Sequence, residues 1–180
     1  MRVLGISGSL RERSHNTELL RAAATLLPPG TQLDLFEQLA AIPPYNEDAE
    51  GDAPPAVVAL KQAIHDADVV IFSTPEYNHS LPGQLKNALD WVSRPVADNP
   101  LRGKAVAVLG ASTGMFGAVW AQAELRKVAA ALGARVIDRE FPLALAGDAF
   151  TADGDLVDED LRDELADLCA ELCGQLALAA

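Results

Sequence analysis

Two hydrophobic rhythms alternate along the chain. Short runs rich in β-branched and aliphatic residues occur at 2–7, 32–36, 69–73, 105–110 and 135–141. Between them, stretches of helical periodicity cover 16–27, 55–66, 82–92 and 117–132, and a last one covers 158–178. The third and fourth runs, Val69-Val70-Ile71-Phe72 and Ala105-Val106-Ala107-Val108-Leu109, are apolar at successive positions. A strand apolar on both faces belongs to a parallel sheet covered by helices on both sides. The helices show faces and ends as well. Val57, Leu60 and Ile64 recur at i, i+3 and i+7, and Pro54-Pro55 suits a first turn. Leu161, Leu165, Leu168, Leu172 and Leu176 form one stripe. Opposite it lie Asp158, Glu159, Asp160, Asp163, Glu164, Asp167 and Glu171, which read as a solvated face with acid at the helix start rather than a metal site.

Five β-runs alternating with five helices, strand first, predict a doubly wound α/β fold. Right-handed crossovers make 2-1-3-4-5 the expected order of a five-stranded parallel sheet with helices on both faces. At 180 residues the expectation is one domain over 1–180. Ligands of such sheets bind beyond the carboxyl ends of the strands, at the switch point. The loops after the first, third and fourth strands are therefore the place to look for function.

Composition narrows the partners. The chain is 49% hydrophobic and carries a net charge of −12, much of it on the last helix. Disorder over most of the length is excluded, nucleic acid is disfavoured, and an anionic membrane surface would repel the chain. Residues 105–123 carry no charge and include Gly110-x-x-x-Gly114, the spacing of a membrane helix pair. Ser112, Thr113, Gln122 and the central glycines make a strand, a tight turn and a helix the better reading. Residues 1–10 are too short for a secretory signal, and the sequon Asn78-His79-Ser80 is expected to be accidental. Cys169 and Cys173 cannot form a disulfide framework. Four apart in a leucine-rich stretch, they read as helix-core thiols in a reducing cytoplasm.

Each of the three loops is unusual. The first, 8–17, holds Ser9, Ser14, Asn16 and Thr17 with Arg11 and Arg13 at a helix start, where free N–H groups and a bidentate arginine favour a phosphate ester. It lacks both GxGxxG and GxxxxGK[ST], so neither a Rossmann dinucleotide site nor a nucleoside triphosphatase is supported. The third-strand loop, 74–83, sets Tyr77 beside Asn78 on a stretch stiffened by Pro75, which suits a flat heteroaromatic ring. His79 has no legible partner and is given no acid–base role. The fourth-strand loop, 110–117, combines Ser112 and Thr113 with three glycines that allow close backbone approach. Each loop alone also reads as an ordinary capped turn, a partly buried loop tyrosine or a tight glycine turn. Together they suit a planar ring on a polar chain ending in phosphate, such as flavin mononucleotide (FMN).

At these residues the chain resembles the NADPH-dependent FMN reductase family, flavodoxin-like quinone, azo-dye and flavin reductases. The matching pieces are Gly8-Ser9-Leu10-Arg11-x-x-Ser14-x-Asn16 and Pro75-Glu76-Tyr77-Asn78-x-Ser80-x-Pro82-Gly83-x-Leu85-Lys86-Asn87-Ala88-x-Asp90-Trp91. A shorter one is Ser112-x-Gly114-x-x-Gly117 followed by Gln122-x-x-Leu125-Arg126. The loop from Ile42 to Asp48 is also similar, and the match runs over about residues 2–145. The resemblance implies that Ser9, Arg11, Ser14 and Asn16, with Thr17 beside them, hold the FMN phosphate. It implies that Pro75, Glu76, Tyr77 and Asn78 border the isoalloxazine, largely through backbone, and that Ser112, Thr113 and Gly114 lie near the ring or ribityl chain. His79 stands where relatives often carry an aromatic or hydrophobic residue.

The resemblance further implies a homodimer or homotetramer with the region 84–94 at an interface, leaving Trp91 between core and interface. NAD(P)H as co-substrate would pass hydride to the flavin, and a quinone, azo compound, free flavin or metal oxyanion would then take its place in ping-pong fashion. The flavin carries that chemistry, so no catalytic side chain and no metal are assigned. Arg13, Arg94 and Arg126 are unranked candidates for a 2′-phosphate subsite. Two rival readings remain at this point. One is a flavin-binding electron carrier or redox-sensing partner protein. The other is a nucleotide- or phosphoryl-sensing domain that leaves flavin out.

Overall fold

A computed structural model describes residues 1–175. Five strands, β1 (Arg2–Ser7), β2 (Gln32–Leu35), β3 (Val69–Thr74), β4 (Ala105–Ala111) and β5 (Arg135–Val136), lie in the order β2-β1-β3-β4-β5, and every neighbour pair is parallel. This is the flavodoxin-like order expected from the pattern. A sixth short strand, β6 (Pro142–Leu143), pairs with the end of β4. The helices are α1 (His15–Thr25), α2 (Pro55–Asp66), α3 (Gly83–Val92), α4 (Val119–Ala131) and α5 (Glu159–Gly174).

Alternation along β3 and β4 explains why Val69–Phe72 and Ala105–Leu109 are apolar at every position. Val70, Phe72, Val106 and Val108 face a core built with α2, α3 and α4, through Leu60, Ile64, Leu85, Trp91 and Leu125. Val69, Ile71, Ala105, Ala107 and Leu109 face the opposite core, built with α1 and α5 through Leu19, Leu20, Leu165, Leu168 and Cys169. Successive side chains of a strand leave on opposite sides, so a sheet with two covers needs both sets apolar.

Three boundaries differ from expectation, each for a local reason. The helix expected over 117–132 begins only at Val119, because Gly117 and Ala118 both adopt left-handed backbone, φ +54° and +63°. The run 135–141 is not one strand. Ile137 still donates its N–H to Val106, but Asp138 and Glu140 turn to the Arg126 guanidinium, and the Phe141 N–H goes to the Gln122 side chain. Pairing resumes only at β6. The helix expected over 16–27 stops at Thr25, since Leu27 precedes Pro28 and is kept out of helical backbone. The uncharged stretch 105–123 divides into β4, a turn and the start of α4, and among the described residues no helix is long and apolar enough to cross a membrane. The expected last helix is present up to Gly174, while Leu176 and the stretch to 178 lie outside the described residues.

Cys169 and Cys173 are free and buried under α5, as a helix-core reading requires. Burial pushes the Cys169 thiol up to about 12, with Cys173 beside it adding to the effect, and burial raises Cys173 as well. Both thiols are thus held neutral in the fold, whereas in the unfolded chain they ionise from about pH 8.5 upward. Their stabilising contribution is complete below that pH and is lost as pH climbs toward 12. Thermal melts are expected to show Tm falling across this alkaline range, more gently in Cys169→Ala. Equal slopes for the two proteins would contradict the assignment.

Candidate functional site

The loops after β1, β3 and β4 meet on one rim. The first leaves β1 through Gly8, whose N–H donates to the Ser73 carbonyl at 2.8 Å. A Cβ there would meet Leu85 Cδ2 at 2.9 Å and Pro75 Cδ at 3.3 Å, so the close approach of two loops favours glycine. Ser14 has the extended backbone of an N-cap, and its Oγ accepts the Thr17 N–H at 3.3 Å. The N–H groups of His15 and Asn16 are left without a protein acceptor among the described residues. The Arg11 N–H donates to Ser9 Oγ at 3.4 Å, and its guanidinium donates to the Arg13 carbonyl at 2.8 Å, which curls the loop.

Asn16 is buried and its amide is committed to the fold. Nδ2 donates to the Ala111 carbonyl at 3.0 Å, while Oδ1 accepts the Ala111 N–H at 3.0 Å and the Ser73 hydroxyl at 2.9 Å. One side chain therefore ties the start of α1 to the ends of β3 and β4.

The third-strand loop is a tight reversal. Tyr77 and Ser80 exchange backbone hydrogen bonds at 3.1 and 3.2 Å around Asn78 and His79, whose φ values of +52° and +61° give a type I′ geometry. The Glu76 carboxylate accepts from the N–H groups of Trp120 and Ala121 at 3.1 and 3.2 Å. It supplies the N-terminal cap that α4 lacks from its own residues, since that helix starts from left-handed Ala118. The Ser80 hydroxyl also donates to the Glu124 carboxylate, so this loop is fastened to α4 at two points. In the fourth-strand loop, Ser112 Oγ accepts the Gly114 N–H at 3.1 Å, and the Ser112 N–H donates to the Leu143 carbonyl at 3.0 Å.

The result is a cleft of about 140 Å³. Ser9, Arg11, Ser14, His15 and Asn16 form one wall, Pro75, Glu76 and Tyr77 another, and Ala111, Ser112 and Thr113 the third. Arg11 and Tyr77 also border a second, more apolar hollow of about 350 Å³, lined further by Leu10, Pro82 and Gln84. Three of the expected residues stand elsewhere. Thr17 faces a neighbouring hollow of about 290 Å³ behind Ser9 and Arg11. Asn78 sits exposed at the tip of the reversal, and Gly114 lies beyond Thr113, outside the cleft lining. His15 and Ala111 are additions. Ala111 is simply the last residue of β4, but His15 had a local signal in its place between Ser14 and Asn16.

Comparison with known proteins decides the class. The family model of the NADPH-dependent FMN reductases matches residues 1–148. An NAD(P)H-dependent FMN reductase of Pseudomonas aeruginosa is 44% identical over 165 residues, covering 91% of this chain and 88% of that protein. A 2-hydroxy-1,4-benzoquinone reductase of a Burkholderia species is 39% identical over 92% of this chain and 90% of its own length. The structure of FerB, an NAD(P)H:(acceptor) oxidoreductase flavoenzyme of Paracoccus denitrificans, superposes with a TM-score of 0.85 at 36% identity, covering 95% and 94% of the two chains.

The chain belongs to the NADPH-dependent FMN reductase family. As a member it is an oxidoreductase with FMN as cofactor and NAD(P)H as reductant.

The long motif that carries the family resemblance holds the architecture of the site together. In α3, Gln84 Nε2 donates to the carbonyls of Leu39 and Ile42 at 2.7 and 2.8 Å. Asn87 Nδ2 and Trp91 Nε1 both donate to the Pro43 carbonyl, at 2.8 and 2.9 Å, and Asn87 Oδ1 accepts the Tyr45 N–H at 2.7 Å. The two similar segments, 42–48 and 75–91, are thus two halves of one clamp. Trp91 is buried within this chain and meets Tyr45 edge-on, which places it in the core. His79 does have neighbours, the Glu76 carboxylate at 3.6 Å and the Trp120 ring edge-on at 4.8 Å. Arg126, one of the three candidates for a 2′-phosphate, is engaged by Asp138 and Glu140. Glu76→Ala is expected to lower stability by about 1 kcal/mol through loss of the α4 cap. A chemical denaturation curve indistinguishable from that of the parent would remove that role.

Proposed function

We propose that the rim cleft holds FMN with its phosphate at the start of α1, and that the enzyme reduces quinones by a ping-pong exchange in which NAD(P)H and acceptor occupy one position in turn. Azo compounds, free flavin and metal oxyanions are the further acceptors the same exchange admits. The carrying observation is that three loops far apart in sequence converge on one cleft bordered by a helix start with two N–H groups that have no protein acceptor among the described residues, an arginine and several hydroxyl groups. These donors suit a phosphate monoester, and the apolar hollow beside Tyr77 suits a flat ring.

When bound, FMN supplies the redox chemistry, taking hydride from NAD(P)H and passing two electrons to the acceptor. The chain's own residues bind and orient. Ser9, Arg11 and the N–H groups of His15 and Asn16 hold the phosphate. Pro75, Glu76 and Tyr77 border the ring through backbone and the tyrosine face, with Asn78 at the outer edge. Ser112, Thr113 and Gly114 offer donors toward the ribityl chain, and Thr17 closes the neighbouring hollow. No side chain is assigned to move a proton.

The test is the absorbance spectrum of purified protein before and after anaerobic NADPH, followed by initial rates with a benzoquinone. A flavin spectrum bleached by NADPH, with parallel double-reciprocal lines, supports the proposal. A colourless protein that takes up no FMN ends it. Bleaching only by a partner protein favours an electron carrier instead.

We further infer a homo-oligomer, dimer or tetramer, located in the cytoplasm. The location rests on the two free thiols. The assembly is supported by Met115, Phe116 and Trp120, a large exposed apolar cluster beside the cleft, with the Phe116 and Trp120 rings 5.1 Å apart. Sedimentation velocity is expected to give at least twice the chain mass, and Trp120→Glu to shift the population toward monomer. A monomeric parent protein at micromolar concentration would refute the inference.

A further inference from the structure

We propose that His15 is a phosphate-binding residue of the cleft, its imidazole held by Glu18 and Phe150 so that Nε2 serves the phosphate of the flavin nucleotide. This rests on the FMN reading above and adds to it a side chain that no motif assigns. Two contacts fix the ring. Nδ1 lies 2.8 Å from Glu18 Oε2, one helical turn on, and the ring lies parallel to Phe150, with centroids 6.4 Å apart and planes 6° from each other. Phe150 comes from the segment between β6 and α5, so the orientation of the imidazole is set by tertiary structure as well as by its own helix.

A carboxylate only accepts hydrogen bonds, so the Glu18 contact places the proton on Nδ1 and leaves Nε2 as the free nitrogen. Nε2 has no protein partner among the described residues, and the residue borders the cleft together with Arg11 and Ser14. In its charged form the ring donates at both nitrogens, to Glu18 on one side and to a phosphate oxygen on the other. Of the charged residues, Glu18 contacts the ring directly, and Arg11 and Glu76 share its cleft lining, the Glu76 carboxylate being occupied by the α4 amides. The arrangement is a carboxylate–imidazole pair bordering an anion site, with an aromatic ring parallel to the imidazole.

FMN and riboflavin share the ring and the ribityl chain and differ only in the phosphate, which makes them the right probes. Flavin-free full-length protein is titrated with each, following quenching of flavin fluorescence, for the parent, His15→Phe and Glu18→Gln. His15→Phe keeps a flat ring against Phe150. Its FMN dissociation constant is expected to rise about tenfold, with riboflavin binding unchanged. Glu18→Gln is expected to move the FMN-to-riboflavin preference in the same direction by less, and it carries the test if His15→Phe fails to fold. FMN binding unaltered in both variants overturns the proposal. So does equal loosening of FMN and riboflavin, which would make His15 a packing residue. A parent protein that binds no FMN is a separate outcome, visible before any variant is made, and it removes the flavin reading itself.

Discussion

Asn16→Ala is expected to unfold at markedly lower denaturant and temperature than the parent, with a loss of about 3 kcal/mol. The amide of Asn16 satisfies three buried groups at once: the N–H and carbonyl of Ala111 and the hydroxyl of Ser73. Removing it leaves all three without that partner in a site closed to solvent, and each unmet buried group costs about 1–3 kcal/mol. The sum is discounted because the Ser73 hydroxyl can rotate to another acceptor. For a chain of this size the loss corresponds to a fall in Tm of roughly 6–12 °C. Asn16→Asp is expected to be no better, since it keeps the acceptor but loses the donor to the Ala111 carbonyl and brings a charge into the interior. FMN affinity falls as well, because the wall from Ala111 to Thr113 and the start of α1 lose their shared anchor. A change below about 1 kcal/mol by urea denaturation would mean that the bracket contributes little to stability.

Asn16 also marks the limit of what the sequence discloses. Its place in the first-loop motif pointed to the cofactor, and the structure does put it at the cleft, yet its amide is spent on joining two strand ends. That partner lies ninety-five residues away and leaves no local trace. The sheet was legible for the opposite reason. Burial on two faces imposes apolar runs on Val69–Phe72 of β3 and on β4, and their shortness and β-branched content separate them from buried helices. Once the strand order follows, the rim and its three loops follow with it. The edge of the sheet was harder to read. β5 has only two paired residues, and where it breaks off depends on Arg126 and Gln122, side chains of a different element. The shape of the β3 loop was hidden in another way. Asn78-His79 lacks the glycine that usually announces a type I′ turn, so the reversal itself left no trace in the sequence. Glu76 as the cap of a distant helix was equally hidden, because a cap in sequence is sought just ahead of the helix it serves.

Arg11→Ala is expected to weaken FMN binding by about ten- to a hundredfold while leaving riboflavin binding almost unchanged. Of the guanidinium's five N–H donors, one is spent on the Arg13 carbonyl, so the others remain for a phosphate even with the loop curled as it is. A hydrogen bond between two charged groups contributes about 1.5–3 kcal/mol. Arg11 is exposed, which screens the interaction and sets the expectation toward the lower end. Arg11→Lys keeps the charge but loses the fork, and recovery of only part of the affinity would separate bidentate geometry from simple attraction. Arg13 is the internal control. It has the same charge two residues on, but it does not line the cleft, and it enters the loop through its backbone carbonyl. Arg13→Ala should therefore bind FMN like the parent at moderate ionic strength. If the two alanine variants lost affinity equally, the phosphate would be held by the general positive field of the loop. The specific place given to it at the start of α1 would then be wrong, even if the protein were yellow.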